Sequence, residues 1–100
     1  MLTLDSQLQP HPDVIVTELQ GAQGKEAVLL HLTTKHYFSL NETGLRIWRL
    51  LDEHLSLAAI AGRLAEEYEI TIEQAQQSVL NLAQALLEER LVDVAPSSSP

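Results

Sequence analysis

Four histidines are the side chains most capable of chemistry in this sequence, and their spacing gives no catalytic or metal site. His11, His31, His36 and His54 are scattered, and no two of them stand four residues apart as in a helical zinc motif. The chain has no cysteine, which excludes thiolate ligands and cysteine nucleophiles. We therefore expect no metal and no cofactor.

Two groups of glutamates resemble the paired acids of general acid–base catalysis. They are Glu66, Glu67 and Glu69, and further along Glu88 and Glu89. Both groups stand at predicted helix ends among polar neighbours, where a solvated surface explains them. The four glycines match neither the dinucleotide-binding nor the Walker spacing. The sequence thus predicts a protein that is not an enzyme and has no catalytic residues.

The composition and the net charge disfavour some classes of binding partner. One hundred residues with 45% hydrophobic content predict a single domain with a modest core. A formal charge of -8 disfavours nucleic acid, whose binding depends on Lys and Arg neutralising phosphates, and it disfavours anionic membranes too. The apolar runs are far shorter than the about 20 residues of a membrane span. The N-terminus lacks the pattern of a secretory signal, so we expect a cytoplasmic protein. From the net charge we expect its partner to be a protein, peptide or small molecule.

Three strands are predicted in the first forty residues. Residues 14–19 are rich in β-branched side chains and lead into a connection with two glycines, which suits a hairpin. Residues 26–32 continue as the second strand, and residues 33–35 form a short turn before the third, residues 36–40. The three are expected to form an antiparallel meander.

Three helices follow, since the apolar period then changes from two to 3.6 residues. Asn41 is a favourable N-cap for the first helix, and Ser56 for the second. Thr71, with Gln74 three residues later, has the spacing of a capping box and opens a third helix that reaches about Arg90. Residues 91–94 are predicted to be a short extended piece.

The predicted domain spans residues 14–94. Residues 1–13 show no periodicity, and Pro10-His11-Pro12 favours an extended lead-in, so a flexible N-terminal segment is predicted there. Residues 95–100 are predicted to be a disordered tail. The element order predicts an α+β fold, a three-stranded antiparallel sheet followed by three α-helices, close to a winged-helix fold in permuted order.

The predicted third helix carries two neighbouring apolar stripes. The first, expected to face the core, comprises Ile72, Ala75, Val79, Leu82 and Leu86. The second comprises Leu80, Ala83 and Leu87. Two interpretations stay open. Either the other helices cover both stripes, or the second stripe is the exposed floor of a groove.

The third predicted strand is receptive to an added strand. In a three-stranded meander it lies at an edge, with unpaired backbone donors and acceptors. Soluble proteins usually protect such an edge with proline or charged side chains. Residues 36–39 contain no proline, and their only possible charge is that of a protonated histidine. The pattern is typical of a protein that captures an extended peptide by strand addition.

A sequence motif spans this strand and the first helix. Residues 37–44 read YFSLNETG, followed by Ile47-Trp48 and Leu50-Leu51, which resembles the signature YfxLNexGxxIWxLL of PqqD-like proteins. These are recognition elements for ribosomally synthesised, modified peptides. Residues 56–61 resemble the family's second helix and residues 64–68 its LaeeY end. The likeness covers roughly residues 14–94, and it departs at residues 90–92, where many members have Gly before the final Leu.

The resemblance implies a winged-helix-like domain that binds the leader of a precursor peptide as a strand added to the third strand, beside the third helix. It also implies that partner enzymes do the chemistry. Two stand-alone types fit. One is the leader-binding protein of lasso-peptide clusters, whose partners are a leader peptidase and a cyclase. The other is the PqqD of quinone-cofactor biosynthesis, whose partner is a radical enzyme. We favour the lasso type.

This interpretation assigns a set of peptide-binding residues. The leader is expected to lie against Tyr37, Phe38 and Ser39 through backbone hydrogen bonds. Its apolar side chains are expected on the third helix, with glutamines at the rim; the helix residues assigned are Gln76, Val79, Leu80, Ala83, Gln84 and Leu87.

Three alternatives stay open: a small enzyme, which would need a polar pocket; a purely structural subunit, whose edge strand would be permanently paired, as in a dimer; and a DNA-binding winged helix. Its recognition helix would be the predicted third helix. That helix carries three carboxylates, Glu73, Glu88 and Glu89, and a single cation, Arg90. Phosphates would repel such a helix.

Overall fold

The computed structural model describes residues 2–21 and 24–94. Within them the chain forms five strands and three helices. In order these are β1 (Leu8–Pro10), β2 (Val14–Gly21), β3 (Gly24–His31), β4 (Tyr37–Leu40), α1 (Glu42–Asp52), α2 (Leu57–Tyr68), α3 (Ile72–Glu88) and β5 (Val92–Val94). The predicted α+β fold, a three-stranded sheet followed by three helices in a winged-helix-like arrangement, is confirmed, and two short strands are added to it.

Strands β2, β3 and β4 form the predicted antiparallel meander. Strand β3 lies in the centre, so β2 and β4 are its two edges. Ala27, Leu29 and His31 of β3 are buried, which shows that one face of the sheet covers the core. The alternation of inward and outward side chains follows from the two-residue period of an extended chain.

Each helix begins directly after the residue predicted to be its N-cap. Asn41 Oδ1 accepts a hydrogen bond from the Gly44 N–H at 2.8 Å, and the Ser56 hydroxyl caps α2 in the same way. The predicted capping box is confirmed, because the Gln74 N–H donates to Thr71 Oγ1 and the Thr71 N–H donates to Gln74 Oε1. These side chains satisfy amide groups that have no partner inside the helix.

The N-terminal segment corrects one prediction. Regular structure does not start after Pro12, because β1 pairs in antiparallel fashion with β5 and Leu8 is fully buried. Upstream of β1, the carbonyls of Leu4 and Ser6 accept hydrogen bonds from the first amides of α2, at 2.8 and 3.0 Å. The sequence hid this because three residues are too few to show a period. The predicted tail, residues 95–100, lies outside the described residues.

The core lies between the sheet and the helices, and both short terminal strands contribute to it. Its largest fully buried side chains are those of Leu8, Leu29, Ile47, Leu50, Leu51, Leu57, Ile60, Leu64, Val79, Leu86, Leu91 and Val92. No helix in residues 2–21 and 24–94 is long and apolar enough to cross a bilayer.

An ion pair on the surface joins α1 to α2. Arg46 Nη2 lies 2.7 Å from Glu67 Oε2, and Arg46 Nε donates to the second carboxylate oxygen at 2.8 Å. The hydrogen bond from Arg46 lowers the pKa of the Glu67 carboxyl below its ordinary value. Both side chains are partly solvated, so this pair orients the helices more than it stabilises them.

Leu8→Ala tests whether the N-terminal strand belongs to the domain. Leu8 is fully buried, so removing its side chain should leave a cavity and reduce the free energy of unfolding by about 2–5 kcal/mol. Urea unfolding monitored by Trp48 fluorescence measures the loss. Leu32→Ala is the matched control, because Leu32 is 42% exposed and should cost far less. Equal stabilities for the two variants would show that β1 is dispensable.

Candidate functional site

The outer edge of β4 is unpaired within the described residues. The His31 N–H donates to the His36 carbonyl at 2.9 Å, which sets the hydrogen-bonding phase between β3 and β4. In an antiparallel ladder this phase alternates, so Phe38 and Leu40 also direct their backbone groups toward β3. Tyr37 and Ser39 therefore direct their N–H and C=O groups away from the sheet. The edge offers two donors and two acceptors to an added strand.

The turn that delivers the chain into β4 is fixed by a buried histidine. His31 is 4% exposed, and its Nδ1 accepts hydrogen bonds from the amides of Thr33 and Thr34, at 3.2 and 3.3 Å. The Lys35 N–H donates to the His31 carbonyl at 2.8 Å, and Lys35 has a φ of 67°. These bonds close a tight turn. They place Tyr37 at the start of the open edge in a defined register.

A cleft with a volume of about 680 Å³ lies between the β4–α1 junction and α3. Polar side chains from both walls line it, and these are Ser39, Asn41, Thr43, Ser78 and Asn81. Apolar side chains also contribute, and these are Leu40, Ile47, Leu82 and Ala85. None of the lining residues carries a charge. Such a surface suits an uncharged or apolar side chain with polar contacts around it.

Gly44 keeps the β4–α1 junction narrow. A Cβ built at this position would lie 3.2 Å from Leu40 Cδ2 and 3.3 Å from Asn41 Oδ1. Those contacts are tighter than ordinary packing, so a side chain here would have to displace the side chain of Leu40 or the capping side chain of Asn41. The glycine of the family-like motif therefore has a packing reason, and it shapes one wall of the cleft.

Beyond the cleft, a contact links β4 to the end of α3. His36 Nδ1 lies 3.6 Å from a carboxylate oxygen of Glu89, and both side chains are solvated. The contact joins the residue before β4 to the C-cap of α3. The strand edge and the helix are thus connected at this end.

The predicted strand residues lie along β4. Tyr37 is 74% exposed and Ser39 is exposed, both on the open edge. Phe38 is half-buried and lies opposite Leu29, with its side chain on the core face of the sheet. Phe38 can therefore offer a side-chain contact, whereas its neighbours offer backbone groups.

The predicted helix residues lie on a different face from the cleft. Val79 and Ala83 are fully buried, so in this structure their side chains are not accessible to a leader. Leu80 and Leu87 are half-buried and pack against the core, and Gln76 is also half-buried. Of the second stripe, Ala83 is covered, whereas Leu80 and Leu87 remain partly exposed, and Leu87 lines a separate pocket with Leu2 and Gln84.

The opposite flank of α3 faces β4. Ser78, Asn81, Leu82 and Ala85 recur at helical spacing and line the cleft. Sequence reasoning assigned Leu82 to the core stripe and passed over the other three. In the sequence, Ser78, Asn81 and Ala85 form a stripe of small and polar residues beside the core stripe, and this pattern could have indicated a cleft wall. The sequence pattern defines both flanks of the helix but does not say which one meets the sheet edge.

Two of the histidines contact each other away from the cleft. His11 and His31 lie with ring centroids 4.6 Å apart, and the Nδ1 of each accepts a backbone N–H, from Asp13 in the case of His11. Both rings thereby hold local turns. In the described parts of the chain, no three His, Asp or Glu side chains lie close enough to share a metal ion.

The fold and the cleft define a small winged-helix-like α+β domain whose open strand edge adjoins an uncharged cleft. Residues 26–92 match the family described as coenzyme PQQ synthesis protein D (PqqD). The match covers most of the chain, and the protein belongs to this family.

Two solved structures are similar to the chain. TbiB1 in complex with the TbiA(beta) leader peptide has a TM-score of 0.76 and 27% sequence identity, covering 89% of this chain and 99% of that one. Lasso peptide synthetase B1 complexed with the leader peptide has a TM-score of 0.68 and 27% identity, covering 90% of this chain and 99% of that one. No curated protein sequence matches the chain.

Amide exchange tests the assignment of the open edge. The amides of Phe38 and Leu40 should be protected because they donate to β3, whereas those of Tyr37 and Ser39 should exchange rapidly because they face solvent. Hydrogen–deuterium exchange followed residue by residue by NMR gives the measurement. Protection of Tyr37 and Ser39 in the free monomer would mean that the edge is already covered.

Proposed function

We propose that this protein is a recognition element for a ribosomally synthesised and modified peptide. It binds the leader of the precursor as a strand added to β4 and presents it to a partner peptidase and cyclase of the lasso-peptide type. The observation that carries the proposal is an open β4 edge beside an uncharged cleft, in a chain 27% identical to two proteins solved with leader peptides.

Backbone groups supply a binding term that is independent of leader sequence. The free donors and acceptors of Tyr37 and Ser39 allow four hydrogen bonds to one extended segment. Each such bond contributes about 0.5–1.5 kcal/mol net, since it replaces bonds to water. The strand edge therefore selects for an extended conformation rather than for particular side chains.

Selectivity comes from alternate leader residues. Positions opposite Phe38 and Leu40 direct their side chains to the core face of the sheet, toward the cleft and α3. Positions opposite Tyr37 and Ser39 direct theirs to the outer face. Ordering a flexible leader costs about 2–5 kcal/mol of the gross interaction, so one or two anchors in the cleft must offset it. A nanomolar to micromolar affinity is the expected range.

The lack of charged residues in the cleft restricts which leader side chain can bind there. A carboxylate entering the cleft would lose hydration without meeting a cation in the lining, and the chain itself has a formal charge of -8. An apolar or neutral polar anchor avoids this cost. The preferred leader therefore presents an uncharged side chain opposite Leu40.

The protein itself is proposed to be non-catalytic, with the chemistry left to its partners in the cytoplasm, where a newly made precursor is available. The similarity to lasso peptide synthetase B1 supports the peptidase and cyclase as partners. The family description supports a second candidate, a PqqD-type peptide chaperone for a radical enzyme. The genes beside this one distinguish the two, since each pathway requires a different partner enzyme.

The DNA-binding alternative has no support from the charge of α3. Glu73 and Glu88 are its charged residues, and the helix contains neither Lys nor Arg. A gel shift at low salt is the direct test. Binding that weakens steeply as salt rises would revive this alternative.

Ala85→Glu should cripple leader binding while leaving the fold intact. Ala85 is half-buried in the cleft wall, so the new carboxylate would meet the bound peptide in a site without cations. We expect at least a tenfold rise in Kd, or about 1.4 kcal/mol. Fluorescence anisotropy gives the Kd, with the TbiA(beta) leader and with the leader of a short precursor encoded beside the gene as probes.

Gln84→Glu is the matched control for this substitution. It adds the same charge at the neighbouring helix position, but Gln84 is exposed on the other flank of α3 and adjoins Leu2 and Leu87. Its Kd should change less than twofold, and the circular dichroism of both variants should equal that of the wild type. Equal losses in the two variants would reject the cleft as the leader site.

Presentation to the partner has its own test. Adding this protein should accelerate cleavage of the precursor by the leader peptidase, because the bound leader is held for the second protein. Ala85→Glu should remove the acceleration without changing the basal rate of the peptidase alone. Cleavage is followed by mass spectrometry. A rate that is independent of this protein would leave leader binding standing and reject presentation.

A further inference from the structure

Within residues 2–21 and 24–94, strand β2 is the second unpaired edge of the sheet, and it is twice as long as β4. Residues 15–20 are all exposed, and they include Ile15, Val16 and Leu19 at 46%, 41% and 47%. The strand contains no proline, and its single charge, on Glu18, is paired with Arg49. Soluble proteins usually protect such an edge with charges, proline or a bulge. A regular edge with three exposed apolar side chains and a charge that is already paired indicates a partner strand.

The hydrogen-bonding phase shows which groups are free on β2. The Leu32 N–H donates to the Asp13 carbonyl at 2.9 Å, just before the paired residues Val14 and His31. By alternation, Ile15, Thr17 and Leu19 direct their backbone groups to β3. Residues 14, 16, 18 and 20 therefore direct theirs outward. The free groups lie at every second residue along the whole strand.

The strand is complementary to itself about Thr17. If two copies of β2 pair in antiparallel fashion around a two-fold axis at this residue, Val16 pairs with Glu18 of the second copy through free backbone groups at both positions. Val14 pairs with Gln20 in the same way. The intervening, non-hydrogen-bonded positions bring side chains closest, and there Ile15 lies opposite Leu19 of the second copy. Every free backbone group of residues 14, 16, 18 and 20 gains a partner.

The charges agree with this register. An axis at Glu18 would place two carboxylates directly opposite each other, which is destabilising. With the axis at Thr17, the two Glu18 side chains are diagonal neighbours instead. Each brings its own Arg49, so the charges around the axis sum to zero. An isologous interface of this kind needs a patch complementary to itself, and β2 provides one.

We propose that the protein forms a homodimer through β2, which joins two sheets into one of six strands. The two β4 edges then lie at the opposite ends of the joined sheet, and each remains free. This inference does not depend on what binds β4. The dimer has two equivalent outer edges related by the two-fold axis.

Charge substitutions at Thr17 test the dimer. Thr17 is exposed in the monomer, but in the dimer it faces its copy across the axis. Sedimentation equilibrium of the wild type from about 1 to 500 μM should show association to twice the monomer mass. Thr17→Lys and Thr17→Glu should each weaken association by about twofold to fivefold, since like charges would meet at the axis. An equimolar mixture of the two variants should restore dimers.

The mixing experiment separates a defined interface from a loss of folding, because a misfolded chain cannot be rescued by its charge-reversed counterpart. Thr17→Val is a further control, and it should associate at least as well as the wild type. A wild type that stays monomeric at about 500 μM overturns the proposal, as does a dimer that both charged variants form as tightly as the wild type. A peptide strand on β2 is the other occupant, and a monomer that binds two leaders per chain would show it.

Discussion

In the part of the chain that the structure describes, strand β3 pairs with a strand on both sides, whereas β2 and β4 each pair on only one side. The binding properties of the molecule depend on this difference. A row of unpaired N–H and C=O groups is tolerable at a surface because water can bond to it, yet it favours any extended chain that supplies a better-ordered set of partners. The two edges differ in what surrounds them. Strand β4 is short and lies beside a cleft, while β2 is long and carries apolar side chains around its outer edge.

The helices turn one of these edges into a selective site. The Asn41 cap starts α1 immediately after β4, and Gly44 lets that start lie close to the strand. Helix α3 supplies the opposite wall with small and polar side chains, which leave room between the walls. Bulky side chains at Ser78 or Ala85 would fill this space. Selectivity thus depends on what α3 omits on this flank as much as on what it presents.

Local chemistry explains why much of the fold could be predicted from the sequence. Caps such as Asn41 and Thr71 act within one turn, and period-two strands show their pattern in a few residues, so the boundaries of β2 to β4 and of the helices were close to those observed. Strand β1 could not be found, because Leu8–Pro10 is stabilised by a partner more than 80 residues away in the chain. Non-local pairing leaves no local signal.

The sequence pattern predicts which strand residues are exposed, but not which helix residues are. The period of two places Tyr37 and Ser39 on one face of β4 whatever the tertiary structure. On α3, the flanks at residues 78–85 and 80–87 are equally compatible with the sequence, and the packing of α2 and of the N-terminal segment decides between them. A wide apolar arc indicated exposure, but the neighbouring elements bury Val79 and Ala83.

The pairing of β1 with β5 has a consequence for how this domain can be built into larger proteins. Because Leu8 lies opposite Val94, the start of β1 and the end of β5 are neighbours. Neither strand forms part of the β2–β3–β4 sheet. The domain could therefore be spliced into or onto an enzyme at a single point without altering its exposed edges. Covalent tethering of this kind would raise the effective concentration of a captured peptide at a neighbouring active site.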